Sequence, residues 1–242
     1  MKRKQTQSEL YSSIKPGYYD QIFRRRRGIQ SKWHWLKFTH IAALLGNYAA
    51  LLDVGCGPGS FISLLDPEKT AVGIDLDPGQ IAYANKTYGT KKHCFLRQKA
   101  EARFPFKDES FDVITIIEVI EHITRDQAFR MLNEARRVLK PGGRVILSTP
   151  NYAGLWPVLE LIVNKVSSVS YEEQHISHYT PGKLEAFLSS FGYKVEKLYA
   201  YQFLSFIVAA FSWDMADQWN TMESRHLSKF FGFLIMAQIR KF

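Results

Sequence analysis

A buried strand that ends in a glycine turn constrains this chain more than any other feature. Residues 50–59 read Ala-Leu-Leu-Asp-Val-Gly-Cys-Gly-Pro-Gly, and the next apolar run, Ala71-Val-Gly-Ile-Asp75, ends on a carboxylate. Gly55, Gly57 and Gly59 lack a Cβ, so the turn can take positive φ and a ligand can lie against bare backbone. The first strand delivers Asp53 to the mouth of this turn, and the second sets Asp75 beside the same crevice. An acid there can accept hydrogen bonds from both hydroxyls of a ribose. The two features together predict a nucleoside-containing ligand at the carboxyl edge of a parallel sheet.

Downstream, strand and helix patterns alternate. Strands are expected near 50–54, 71–75, 93–97, 111–117, 144–149 and 193–201. Helices are expected from the glycine turn to Leu65, from Pro78 onward, over about 126–139, and from Thr180 to Phe191. Such alternation implies parallel strands joined by right-handed crossovers. Upstream, Ile29, Trp33, Leu36, Ile41 and Leu44 recur near helical spacing, which predicts an amphipathic helix packed on the domain. Residues 1–16 are polar and expected to be loose. No repeat or low-complexity linker interrupts residues 1–242, so one domain is expected. It comprises a basic helical segment at 1–46, a ligand-binding half at 48–151 and a second half at 152–242, with cover insertions at 152–179 and 202–228.

The identity of the ligand follows from charge. A dinucleotide fold reads G-x-G-x-x-G and aims a helix N-terminus at a pyrophosphate. This chain reads G-x-G-x-G with Asp53 two residues ahead, an anion that would repel a pyrophosphate but suit an ammonium or sulfonium. Four segments follow in order: Asp53-Val-Gly-Cys-Gly-Pro-Gly59, Gly73-Ile-Asp75, Phe104-Pro-Phe-Lys-Asp-Glu-Ser-Phe-Asp112 and Arg137-Val-Leu-Lys-Pro-Gly-Gly143. Over about residues 48–200 this set resembles the class I S-adenosylmethionine-dependent methyltransferases. Glu118-Val-Ile-Glu-His122 and Ser148-Thr-Pro-Asn151 are similar to the ubiquinone-biosynthesis O-methyltransferase type. The resemblance implies a Rossmann-like, doubly wound α/β fold: a mostly parallel seven-stranded sheet, helices on both faces, and an antiparallel last strand in 232–240.

The resemblance also implies roles. Asp53 and the backbone of Gly55, Cys56, Gly57 and Gly59 would hold the methionine end of S-adenosylmethionine, with Asp75 on the ribose and Leu76 on the adenine. Ala100 and Glu101 would line the adenine's polar edge, where Lys99 replaces the Asp common in relatives, and Glu118 would face the methionine moiety. His122 and His175 are the candidate general bases, because imidazole titrates near working pH. Glu121 and His122 could instead orient the next helix, and His175 could be a surface loop residue. Glu118, Glu121, His122 and His175 are also similar to the set in metal-dependent small-RNA 2′-O-methyltransferases and magnesium-assisted quinone-precursor enzymes; no metal is counted among the expected cofactors.

Of the net charge of +9, residues 1–40 hold +8. Arg24–Arg27, near Trp33, Trp35 and Phe38, read first as a solvated turn, next as a peripheral contact with an anionic membrane, and last as a nucleic-acid contact. Cys56 and Cys94 lack metal or redox spacing and suit a reducing cytoplasm. No apolar h-region follows the first residues, and no apolar run approaches the roughly 20 residues of a membrane span. The expectation is a cytoplasmic enzyme, membrane association aside, that methylates a small-molecule or lipid-linked acceptor at oxygen. A metal-dependent RNA 2′-O-methyltransferase and a non-catalytic cofactor-binding partner subunit are the alternatives.

Overall fold

The computed structural model describes residues 14–166, 174–226 and 232–241. The expectation of a loose start at 1–16 falls mostly outside them, as do parts of both cover insertions. Seven strands form one sheet: β1 (Ala50–Val54), β2 (Thr70–Asp75), β3 (His93–Arg97), β4 (Phe111–Ile117), β5 (Leu139–Pro150), β6 (Tyr193–Tyr201) and β7 (Leu234–Lys241). Their order is β3-β2-β1-β4-β5-β7-β6. β1 pairs in parallel with β2 and β4, and β7 runs antiparallel to both β5 and β6. This is the expected Rossmann-like arrangement. The strand order reverses at β1, and such a switch point opens a crevice at the carboxyl ends of β1 and β4.

Alternate residues of each strand feed opposite faces, the period-two rule of a pleated sheet. Leu52, Ile114 and Leu147 point to one core, where they meet Met131, Leu132 and Ala135 of α4 (Arg125–Val138) and Leu184 and Leu188 of α6 (Pro181–Ser189). Leu51, Val113 and Ile146 point to the other, against Ile41 of α2 (Ile29–Leu44) and Ile81 and Ala84 of α3 (Pro78–Tyr88). A third, smaller cluster of Leu36, Trp156, Phe206 and Phe233 closes one end of the crevice. It joins α2 to α5 (Trp156–Val166) and α7 (Ser205–Val208); α8 (Trp213–His226) follows, and α1 (Tyr18–Arg24) precedes α2.

Two of the quoted motif segments serve as staples. The Arg137 guanidinium bonds Glu134, Asp108 and the carbonyls of Phe104 and Phe106, tying α4 to the loop before β4. Asp112 accepts from the amides of Ala49 and Ala50 and from Lys140 Nζ, which fixes the start of β1 against β4 and β5. Helix starts follow their local chemistry. Thr124 and Gln127 form a capping box for α4, Asp77 caps α3 ahead of Pro78, and Thr180 caps α6.

Two expectations need correction. The helix from the glycine turn to Leu65 is only a 3₁₀ turn, Ile62–Leu64. Six residues separate Gly59 from Asp66-Pro67, and the proline drives Asp66 out of the helical region, so no full helix can nucleate. α2 is a helix but not the amphipathic one expected: Ile29 is exposed, whereas Lys32 and Lys37 are buried with Leu36 and Ile41. A third difference is minor. β5 begins at Leu139, five residues before the expected start, because Leu139 pairs with Phe111 ahead of a register shift.

Candidate active site

The glycine turn leaves β1 at Val54. The amides of Gly55 and Cys56 both donate to the Ile74 carbonyl, at 2.7 and 3.0 Å, which locks the turn onto β2. Gly55 has φ +76°, and a Cβ there would lie 2.3 Å from Val119 Cγ2. Gly57 also has positive φ, but a Cβ would meet nothing within 4 Å, because the residue faces the open crevice. Asp75 accepts from the Gly57 amide through Oδ2 and from the Asp77 amide through Oδ1, each at 2.9 Å. Its carboxylate therefore props the turn as well as facing the place expected for a ribose.

Asp53 is buried at the crevice floor and accepts from Thr115 Oγ1 at 2.6 Å. Burial pushes its carboxyl up to about 7, against the pull of the Thr115 hydrogen bond and with the help of the Asp75 charge. Burial and the same two acids raise the Cys56 thiol well above its ordinary value. Leu76, Ala100 and Glu101 line the crevice beyond Asp75, and Gln127 Nε2 donates to Glu101 Oε1 at 3.3 Å. Every residue expected to hold the cofactor except Gly59 lines this cavity. Gly59 stands behind it, where a Cβ would press on Phe95 and Ala84.

Glu118 follows β4 with φ +52°, a strained conformation for a residue other than glycine. Its Oε2 bonds Lys37 Nζ. Lys37 was not among the expected site residues. It comes from α2, 81 positions earlier, and it is a buried lysine that lines the crevice. Burial drives its ammonium down to about 7, with the Glu121 charge opposing. The helical spacing of Lys32, Leu36, Lys37 and Ile41 on one face was the available signal, had lysine been allowed on a buried face.

Glu121 is almost fully buried. Its Oε2 accepts from Thr149 Oγ1 at 2.9 Å, while Oε1 lacks a hydrogen-bond donor. Burial raises it to about 7. His122 Nδ1 lies 3.1 Å from the Gln174 carbonyl, an atom that can only accept, so Nδ1 carries the proton and Nε2 the lone pair. His175 Nδ1 lies 2.7 Å from Glu160 Oε1 and 2.8 Å from the Tyr152 hydroxyl, which sets the same tautomer. The two imidazole rings are 4.9 Å apart. Burial lowers His122 to about 3, the neighbouring His175 adding to it, and lowers His175 to about 4, with His178 adding. Both rings are thus neutral near pH 7. Neither bland expectation describes them. The cap of α4 is made by Thr124 and Gln127, and His175 is buried, while His178 is exposed and stacks on Tyr152. Glu121, His122 and His175 offer ligand atoms within 4.8 Å of one another, a spacing that a divalent cation could bridge.

The crevice encloses about 1170 Å³. Single small-molecule sites span roughly 300–1,000 Å³, so there is room for a second ligand beside a nucleoside. Tyr19, Trp33, Phe38, Trp156, Leu159 and Phe206 give the same cavity a largely aromatic lining.

Comparison with known proteins agrees with this geometry. Residues 52–147 match the family profile of a methyltransferase domain. A probable S-adenosylmethionine-dependent methyltransferase of Mycolicibacterium smegmatis is 31% identical over 147 residues, 60% of this chain and 52% of the relative. The demethylmenaquinone methyltransferase of Lactobacillus johnsonii is 30% identical over 150 residues, 58% of this chain and 59% of the relative. The chain thus spans between half and three-fifths of the length of these curated relatives. The crystal structure of an S-adenosylmethionine-dependent methyltransferase from Thermotoga maritima has the same fold: TM-score 0.69 at 18% identity, covering 98% of this chain and all of that one. Residues 52–147 therefore carry an enzyme's methyltransferase domain, and the cofactor of such a domain is S-adenosylmethionine.

Proposed function

We propose that this chain transfers the methyl group of S-adenosylmethionine to oxygen on an apolar, ring-bearing acceptor of the small-molecule or lipid-linked kind, after the ubiquinone-biosynthesis O-methyltransferase pattern. One observation carries the reading: the glycine turn, Asp53 and Asp75 line one cavity with Trp33, Phe38, Trp156 and Phe206 and with His122 and His175, and the aromatic part of it is the proposed acceptor chamber. The named action of the Lactobacillus johnsonii relative on demethylmenaquinone favours a quinone-like acceptor.

In this reading Asp53 and the Gly55–Gly59 backbone hold the methionine end, Asp75 holds the ribose, and Leu76, Ala100 and Glu101 border the adenine. The aromatic walls exclude water and keep acceptor and methyl carbon in line. The acceptor oxygen forms the new bond to the methyl carbon as the bond to sulfur breaks, leaving S-adenosylhomocysteine. The hydroxyl proton goes to a histidine Nε2. His175 is the better placed, because the Glu160 carboxylate behind its Nδ1–H steadies the imidazolium that forms. Calorimetry should show binding of S-adenosylhomocysteine and none of NAD. Asp75→Ala should weaken that binding at least about tenfold, since it removes both the loop prop and the ribose acceptor. Unchanged affinity would remove Asp75 from the site. Mass spectrometry of extract incubated with a deuterated methyl donor identifies the acceptor.

A second reading has a specific observation behind it. Glu121, with an orphan Oε1, and two histidines of fixed tautomer form a carboxylate–imidazole set that suits Mg²⁺ or Mn²⁺, and the carbonyl and carboxylate behind the rings are the outer partners such ligands use. A bound cation would act as a Lewis acid on the acceptor oxygen. Treatment with chelator should then abolish turnover, leave S-adenosylhomocysteine affinity unchanged and be reversed by Mn²⁺. Full activity in chelator leaves the histidines as bases alone.

A further inference from the structure

Among the described residues, several large apolar side chains stand exposed on and just before α8. Phe211, Met215, Trp219 and Met222 are 89, 56, 42 and 65% exposed. Met215, Trp219 and Met222 share one side of α8, beside the positions that bury Ala216 and Glu223, and Phe211 stands two residues before the helix starts. Isolated exposed apolar residues are ordinary, but a row of three large ones with Phe211 ahead of it marks an interaction surface. Glu223 of α8 holds the backbone of residues 203–205, directly before Phe206, which lines the cavity, and Ile207, which is exposed. Ile29, two residues after the exposed run Arg24–Arg27, also lines the cavity and is exposed, and Lys32 of the same helix pairs with Asp217 of α8 at 2.7 Å.

We infer that this surface docks on an anionic lipid membrane, with the α8 row in the headgroup–acyl boundary and the arginines on the phosphates. Charge decides between occupants. The chain carries +9, and four adjacent exposed guanidiniums suit an anionic surface. Of the acids on α8, Asp217 is ion-paired with Lys32 and Glu223 is buried against the backbone of 203–205, which leaves Asp214, off the apolar row. A helix whose exposed face carries an apolar stripe flanked by polar residues, and little uncompensated acid, is the interfacial kind. The inference deepens the acceptor reading, whose lipid-linked class would reach the chamber from the bilayer.

The test is flotation of the full chain with vesicles of phosphatidylcholine plus phosphatidylglycerol, against phosphatidylcholine alone. The protein should float with the anionic vesicles. Phe211→Asp/Trp219→Asp should weaken partition at least about tenfold, and Arg25→Gln/Arg26→Gln should weaken it less and reduce its salt sensitivity. S-adenosylhomocysteine binding on the same samples separates the two ideas, because lost docking leaves it intact while its absence would sink only the methyl-transfer reading. Should the double variant misfold, Met222→Ser serves in its place. Absence of flotation, partition unchanged in the α8 variants, or an apolar row buried in a dimer that these variants dissociate would each overturn the proposal.

Discussion

At the scale of single residues, the glycine turn and the acids around it make distinct demands. Gly55→Ala would force a side chain at φ +76° into Val119, at a cost of about 1–3 kcal/mol. A lowered melting temperature together with lost S-adenosylhomocysteine binding is the expected result in a thermal melt and a titration. Asp53 makes a pH prediction. Its carboxyl, ordinarily at 3.8, is raised to about 7 by burial, so between those values the folded chain holds a proton the unfolded chain has released. Its contribution to stability therefore falls as pH rises through that window and levels off above it. Cofactor binding runs the other way, since an ammonium prefers the ionised acid: affinity for S-adenosylhomocysteine should climb from about pH 6 to about pH 8. Lys37 and Glu121 titrate in the same region, so the comparison is with Asp53→Asn, which should flatten the part of the climb that belongs to Asp53.

Among elements, the proposed acceptor side depends on a buried cap rather than on periodicity. Glu223 accepts from the amides of Phe203, Leu204 and Ser205 and from the Ser205 hydroxyl, at 2.6–3.0 Å, and so fastens α8 to the start of α7. Glu223→Ala should cost on the order of 3 kcal/mol, read as a fall in denaturant midpoint, by leaving those buried donors unsatisfied. α2 is the element where pattern reading failed. Its register was legible, but Lys32 and Lys37 broke the rule that a buried face is apolar, and their partners Asp217 and Glu118 lie far away in sequence. The β1–β2 crossover failed for a local reason, a proline too soon after the turn. β1, β2 and β4 were legible because each is a short apolar run bounded by glycine, proline or acid.

For the whole molecule, the side of the crevice proposed to hold the donor was readable as a structure because its parts are contiguous: a turn, an acid at a strand end, a turn after β4. The proposed acceptor side was not, because its lining is assembled from α1, α2, α5 and α7, whose residues meet only in the fold. Glu160 behind His175 shows the same limit, fifteen positions away and visible only once α5 is seated. The chamber has a consequence for how relatives should be sorted. The profile spans 52–147, whereas Trp33, Lys37, Trp156 and Phe206 all stand outside it. Likeness measured over the matched stretch compares grips on the donor. Two chains could share that grip in full and still methylate unrelated molecules, so kinship in chemistry is better judged at those four flanking positions.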